Sequence, residues 1–127
     1  DSAFFMIDLD NFKQVNDTLG HPEGDRVIVE FADTLRRVFT RDALVGRMGG
    51  DEFAVFSAAP LSVEDAEAKA RELIDAWASH SAFRAVPLGC SLGIVRVERG
   101  KTFYDLYRAA DEALYASKGR GKGCFSW

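Results

Sequence analysis

The sequence predicts a mixed α/β (α+β) domain, a mostly antiparallel central sheet flanked by helices, and three observations lead there. The wholly apolar run from Ala3 to Ile7 suits a strand buried on both faces. Two apolar segments meet at Gly49-Gly50, a hairpin signal because primed turns need positive φ. Between and beyond these strands lie segments whose apolar residues recur at helical spacing.

Taken in order, the first strand ends in Asp8-Leu9-Asp10. A helix starts near Asn11, carries Phe12, Val15 and Leu19 on one face, and stops at Gly20. After His21 to Gly24 a second helix begins, with Ile28, Phe31, Ala32, Leu35 and Val38 in one stripe. Glu30, Asp33, Arg36 and Arg37 take its other side. Ala43 to Met48 and Glu52 to Ala58 are the hairpin strands, with Gly49-Gly50 as a tight turn. Ser62 caps the next helix, with Asp65 three residues on and Ala66, Ala70, Leu73, Ile74 and Trp77 turned inward. Val86 to Val97 reads as a strand. Thr102 opens the last helix, whose inward residues are Leu106, Ala109, Ala110, Ala113 and Leu114. Gly119 to Gly123 is a basic, glycine-rich turn, and Phe125 to Trp127 starts a final strand. With right-handed crossovers this order folds into a ferredoxin-like palm.

Composition bounds the function. The 127 residues fit one domain, and 47% hydrophobic content supports a real core. A net charge of −4 argues against a general nucleic-acid binder, which needs a basic surface. Cys90 and Cys124 sit far apart in apolar runs and read as small core residues in a reducing compartment. No run approaches the roughly 20 apolar residues of a membrane helix, and no basic leader with a cleavage site precedes the first strand. The expected location is cytoplasmic, with no membrane contact by this domain. Because the chain opens directly on a strand, residues 1–127 are read as one domain cut from a longer protein.

The chemistry concentrates at the hairpin. Arg47 to Phe53 places Asp51 and Glu52 directly after the glycine pair, and in a strand these two side chains would face opposite ways. Crowded acids call for a compensating cation, although a Gly-Gly-Asp turn alone would also suit an exposed loop. Asp8 and Asp10 end a central strand that would lie beside this hairpin, so carboxylates from two elements can clamp a divalent metal. Two such ions can activate a 3′-hydroxyl and stabilise a leaving pyrophosphate. The helix that follows offers free amides around Asn11, Phe12 and Lys13, a phosphate-binding end to which Lys13 adds a charge. Asn16, His21 and Asp25 can return to one pocket and read a guanine edge, or serve only as helix caps and a turn histidine. Lys118 and Lys122 bracket the basic turn, either as phosphate cations or as a helix cap.

In this order the pieces resemble the GGDEF family of diguanylate cyclases: Phe4 to Lys13, Asn16 to Asp25, Arg47 to Phe53, Ser91 to Ile94 and Ala110 to Lys118. The resemblance implies a nucleotidyl-cyclase palm that condenses two GTP into cyclic di-GMP. It implies Mg²⁺ or Mn²⁺, two per site, held by Asp8, the Leu9 carbonyl, Asp51 and Glu52. Asp51 would deprotonate the attacking hydroxyl, with Glu52 and Lys13 supporting catalysis. Asn16, His21, Asp25 and Phe12 would contact substrate, and Lys118 and Lys122 its phosphates. It further implies a homodimer with the active site between protomers and a fused sensory or signalling domain. A silent GTP-binding module controlling such a domain is the alternative, and another cyclic dinucleotide is a variant of the leading reading. The Asp-x-Leu-Thr-Gly-Leu-x-Asn-Arg segment common upstream is absent from these residues. Many members carry an Arg-x-x-Asp inhibitory site where this chain has Thr40 and Ala43, with Arg41 and Asp42 out of register. Lys122 stands where an arginine is customary, which gives up bidentate geometry.

Overall fold

The computed structural model describes residues 2–40, 42–81, 86 and 88–127. The elements run β1 (Ser2–Leu9), α1 (Phe12–Leu19), α2 (His21–Val38), β2 (Ala43–Gly49), β3 (Glu52–Ser57), α3 (Val63–Ser81), β4 (Cys90–Val97), α4 (Phe103–Gly119) and β5 (Phe125–Ser126). They form one five-stranded sheet of order β2-β3-β1-β4-β5. All pairings are antiparallel except β4 with β5.

The apolar run of β1 is central because it has two faces to bury. Phe5, Ile7 and Leu9 join Val15 of α1, Phe31 and Leu35 of α2, and Leu73 and Trp77 of α3 in the larger core. Phe31 stands edge-on to Phe53 and Trp77 at 5.2 and 4.9 Å, a favourable aromatic arrangement. Phe4 and Met6 face the other way, against Leu106, Ala110 and Leu114 of α4. Alternation along β1 thus sorts α1 to α3 onto one face and α4 onto the other.

The cap expected at Ser62 is present, and Thr102 opens α4 as expected. Ser62 Oγ accepts the Asp65 amide at 3.0 Å. Thr102 and Asp105 form a reciprocal capping box at the start of α4.

Several boundaries differ from the sequence reading. Helix α2 starts at His21, before Gly24, because proline is tolerated in a first helical turn and Gly20 at φ 91° makes the break. Gly24 and Asp25 are therefore helical residues. Strand β4 begins at Cys90, not Val86, since its partner β1 ends at Leu9 opposite Cys90. Val86 and Leu88 are buried outside the strand, and residue 87 lies outside the described residues. Strand β3 ends at Ser57, the last residue paired to both neighbours. The hairpin turn falls on Gly50-Asp51, one residue later than expected, because a register shift between Arg47 and Gly49 carries β2 through Gly49. Ala109 is exposed, while Ala110, Ala113 and Leu114 turn inward as expected. Thr40 is exposed and Ala43 begins β2, whereas Arg41 lies outside the described residues. Both cysteines are free thiols, Cys90 buried and Cys124 half-buried. No described helix is long and apolar enough to cross a membrane.

Candidate active site

The antiparallel register sets Asp8 at the end of β1 opposite Glu52 on one side and Ser91 on the other. The Leu9 amide donates to the Asp51 carbonyl at 3.2 Å, which ties the hairpin turn to the end of β1. Arg47 fixes the turn further, its Nε donating to the Gly50 carbonyl at 2.9 Å. Adjacent residues thus end in different environments: Asp51 lies in the turn and Glu52 opens β3.

Asp8 is the electrostatically unsatisfied member of this group. Burial, and then the Asp51 carboxyl beside it, push its pKa up to about 7 against the opposing pull of Lys118. Its Oδ1 is buried without a hydrogen-bond partner, while Oδ2 pairs with Lys118 Nζ at 3.0 Å. A half-buried carboxyl beside a second acid, Asp51, with one hard oxygen left without a partner, fits a divalent cation. Glu52 turns toward α4, where Tyr107 donates its hydroxyl at 3.3 Å. Burial raises the Glu52 carboxyl too, Tyr107 opposes that, and Asp111 and Asp51 add to it. Among the described residues no group of three or more His, Cys, Asp or Glu side chains is gathered for a metal. The oxygens available there to a divalent cation are the carboxyls of Asp8 and Asp51 and nearby backbone carbonyls, few enough that such an ion would keep waters or phosphates in its shell.

Beside these acids lies a cavity of about 440 Å³ lined by Asp51, Lys13, Lys118, Lys122 and the start of α1 at Asn11 and Phe12. Asn11 takes left-handed φ 63° as the residue before the helix, so the chain turns sharply from β1 into α1. Gln14 donates its amide to the Asn11 carbonyl at 3.1 Å, while Phe12 and Lys13 begin the helix beside three ammonium groups. Anion attraction on this side and cation attraction at Asp8 and Asp51 stand next to each other.

The basic turn reaches the cavity from the far end of the chain. Lys118 bridges Asp8 and Asp10, at 3.0 and 3.3 Å. Burial lowers its pKa, but the two carboxylates outweigh that and hold the ammonium above its usual range. Lys122 Nζ donates to Asn11 Oδ1 at 3.3 Å.

Asp8, Leu9, Asp51, Phe12, Lys13, Lys118 and Lys122 therefore come together from three separated segments. Asn16, His21 and Asp25 do not line that cavity. Asn16 is half-buried with its Oδ1 packed against Gly24, while His21 and Asp25 are exposed on the first turns of α2. The sequence reading missed Tyr107, Ser91 and Gly123 as site residues, and for Asn11 it missed the side-chain contact; their partners lie 55, 81, 113 and 111 positions away. No local spacing signals such contacts.

Comparison with known proteins agrees with this geometry. The family described as diguanylate cyclase, GGDEF domain, matches residues 1–124. A diguanylate cyclase from Shewanella oneidensis, DgcS, is 32% identical over 123 residues, covering 97% of this chain and 41% of the relative. The probable diguanylate cyclase DgcJ of Escherichia coli is 36% identical over 115 residues, 91% of this chain and 23% of its own length. The chain thus spans less than half the length of these two curated relatives. Among solved structures, the active GGEEF domain of a Vibrio cholerae diguanylate cyclase matches with a TM-score of 0.87 at 31% identity. That match covers 98% of this chain and 81% of the other. The GGDEF domain of DgcB from Caulobacter crescentus, solved in complex with c-di-GMP, matches with a TM-score of 0.90 at 28% identity, covering 98% and 76%. With the acid-bearing hairpin closed onto β1, and a match running from its first residue nearly to its last, the chain belongs to the GGDEF family.

Proposed function

We propose that this domain is a diguanylate cyclase, condensing two GTP into cyclic di-GMP with release of two pyrophosphates. The observation that carries the reading is the juxtaposition of an under-neutralised acid pair, Asp8 and Asp51, with a cavity bearing Lys13, Lys118 and Lys122. Such a site holds a triphosphate and a divalent cation together. The relatives named above carry that activity in their descriptions, which supports it here.

In this reading Asp8, the Leu9 carbonyl and Asp51 hold Mg²⁺ or Mn²⁺, two ions per site, with Glu52 supporting them. The metal supplies Lewis acidity at the α-phosphate and leaving group when bound. Asp51 accepts the proton of a 3′-hydroxyl as its oxygen bonds to the α-phosphorus of the other GTP. The bond from that phosphorus to pyrophosphate breaks in the same displacement. Lys13 and the α1 amides orient the β- and γ-phosphates, and Lys118 and Lys122 offset charge on the leaving pyrophosphate. Asn16 and Asp25 read the guanine edge, with His21 and Phe12 as further contacts. Each protomer holds one GTP, so the working form is a homodimer inside a longer, cytoplasmic signalling protein with a fused sensory domain. Neither nucleic acid nor membrane is a partner of this domain.

The test is incubation of the full-length protein with GTP and Mg²⁺, assayed for cyclic di-GMP and pyrophosphate. Asp51→Ala should abolish product while leaving the fold intact. GTP binding without turnover would instead indicate a silent regulatory module. Absence of both would sink the assignment.

A further inference from the structure

We propose that Asp10 and Ser91 form a buried clamp that holds the glycine-rich turn, and with it Lys118 and Lys122, against the cavity. The role deepens the reading above and rests on it, since it concerns how the phosphate side of the same site is positioned.

Asp8 and Asp10 look equivalent in the sequence, yet the fold treats them oppositely. Asp8 keeps a buried oxygen without a partner. The Asp10 side chain is only 4% exposed, and both of its oxygens are engaged. Its Oδ1 accepts Ser91 Oγ at 2.7 Å and Lys118 Nζ at 3.3 Å. Its Oδ2 accepts the Gly123 amide at 3.0 Å, an amide that Ser91 Oγ also accepts at 3.1 Å. Ser91 itself is fully buried. A dehydrated carboxylate with a hydroxyl, an amide and an ammonium converging on it is a fastening point. Asp10 is therefore a positioning residue, distinct from the acids that face the cavity.

What it fastens cannot hold its own shape cheaply. Gly121, Lys122 and Gly123 take φ of 109°, 66° and 62°, three successive residues in the left-handed region. Lys122 has a Cβ and pays about 1 kcal/mol there. Such a conformation persists only where neighbouring contacts over-determine it. One restraint is the Lys122 amide on the Ser117 carbonyl at 3.1 Å. A second is the clamp on the very next residue, Gly123. Lys122 reaches Asn11 from this turn, so releasing Gly123 lets its ammonium drift from the cavity, while Asp10 holds Lys118, at the end of α4, directly at 3.3 Å.

The experiment uses the full-length protein with Ser91→Ala and Asp10→Asn, and Ser117→Ala as a matched control. Ser117 is an equally buried serine bonded to the Leu92 carbonyl and Ser126, outside the clamp. Two quantities are read: GTP affinity by calorimetry in Mg²⁺, and hydrogen exchange at the Gly123 amide. Both clamp variants should weaken GTP about tenfold, the effect of one charge-assisted hydrogen bond. They should also speed exchange at Gly123 while amides in the middle of β1 and β4 keep their protection. Ser117→Ala should lower the melting temperature comparably without either effect. Unchanged exchange at Gly123 in both clamp variants overturns the clamp, as does an equal loss of GTP affinity in the Ser117 control. If the wild-type protein binds no GTP, the functional reading fails, while the exchange data still decide whether the clamp exists.

Discussion

Adding one methyl group at Gly93 should destabilise this domain more than a conservative substitution normally does. Gly93 lies on β4 beneath α4, and a Cβ there would sit 2.1 Å from the Ala110 carbonyl oxygen and 2.4 Å from the Leu114 nitrogen. Ordinary contact begins near 3.4 Å, and both atoms are helix backbone, so α4 has to retreat by about 1 Å. Overpacking of a tight interior costs roughly 1–3 kcal/mol, and a clash against backbone belongs at the upper end. For a domain of this size about 3 kcal/mol lowers the melting temperature by about 10 °C. Retreat of α4 also strains the Ser117 hydroxyl bond to Leu92, 2.7 Å long, and carries Lys118 away from Asp8. Gly46→Ala provides the control, because a Cβ there meets nothing within 4 Å. It should be neutral or slightly stabilising through the reduced entropy of the unfolded chain. Thermal denaturation of both variants by circular dichroism reads the difference. A fall under 3 °C for Gly93→Ala, or equal falls for both, would refute the packing argument.

Two further outcomes follow from the site. The Asp8 carboxyl has a folded pKa raised to about 7, so the folded metal-free protein binds a proton that the unfolded chain has already released. Its stabilising contribution is complete below about pH 4 and is lost as pH rises through about 7. Denaturant unfolding in EDTA should therefore show a decline between those limits that Asp8→Asn removes; a decline that survives the substitution would exonerate Asp8. Gly24→Ala places a Cβ 1.9 Å from Asn16 Oδ1, the mobile end of a side chain, so Asn16 swings away at little cost to folding. Stability should change by less than about 1 kcal/mol, because alanine also favours the helix, while GTP affinity falls several-fold. Undiminished GTP binding by calorimetry would remove Asn16 from the proposed guanine contacts.

Much of this protein was legible in one dimension because its signals are local. The run from Ala3 to Ile7 has no polar residue, and only a central strand with two covered faces accommodates that. Thr102 marks the start of α4 locally, and in the fold it forms a capping box with Asp105 within four consecutive residues. Misplaced boundaries came where a partner, and not propensity, ends an element. Val86 and Leu88 are apolar and read as strand, but β1 ends at Leu9 opposite Cys90, so β4 begins there. Gly24 looks like a helix breaker, yet Pro22 can occupy the first turn and Gly24 makes room for Asn16.

The site divides in the same way. Residue types and order alone determined the family resemblance, the acid-bearing hairpin and the candidate lysines, because the chemistry of metal and phosphate restricts which side chains can serve. Only the tertiary structure decided how those residues differ from one another. Asp8 and Asp10 are two positions apart, but Asp8 is held within β1 beside Asp51 with one oxygen unpartnered, while Asp10, past the end of the strand, is free to turn into the Ser91 and Gly123 clamp. Asp51 and Glu52 are neighbours, but a one-residue bulge leaves the first in the turn and the second under Tyr107. Burial and charge at Asp8, Asp10 and Glu52 depend on partners tens of positions away, and long-range pairing is what a linear sequence does not display.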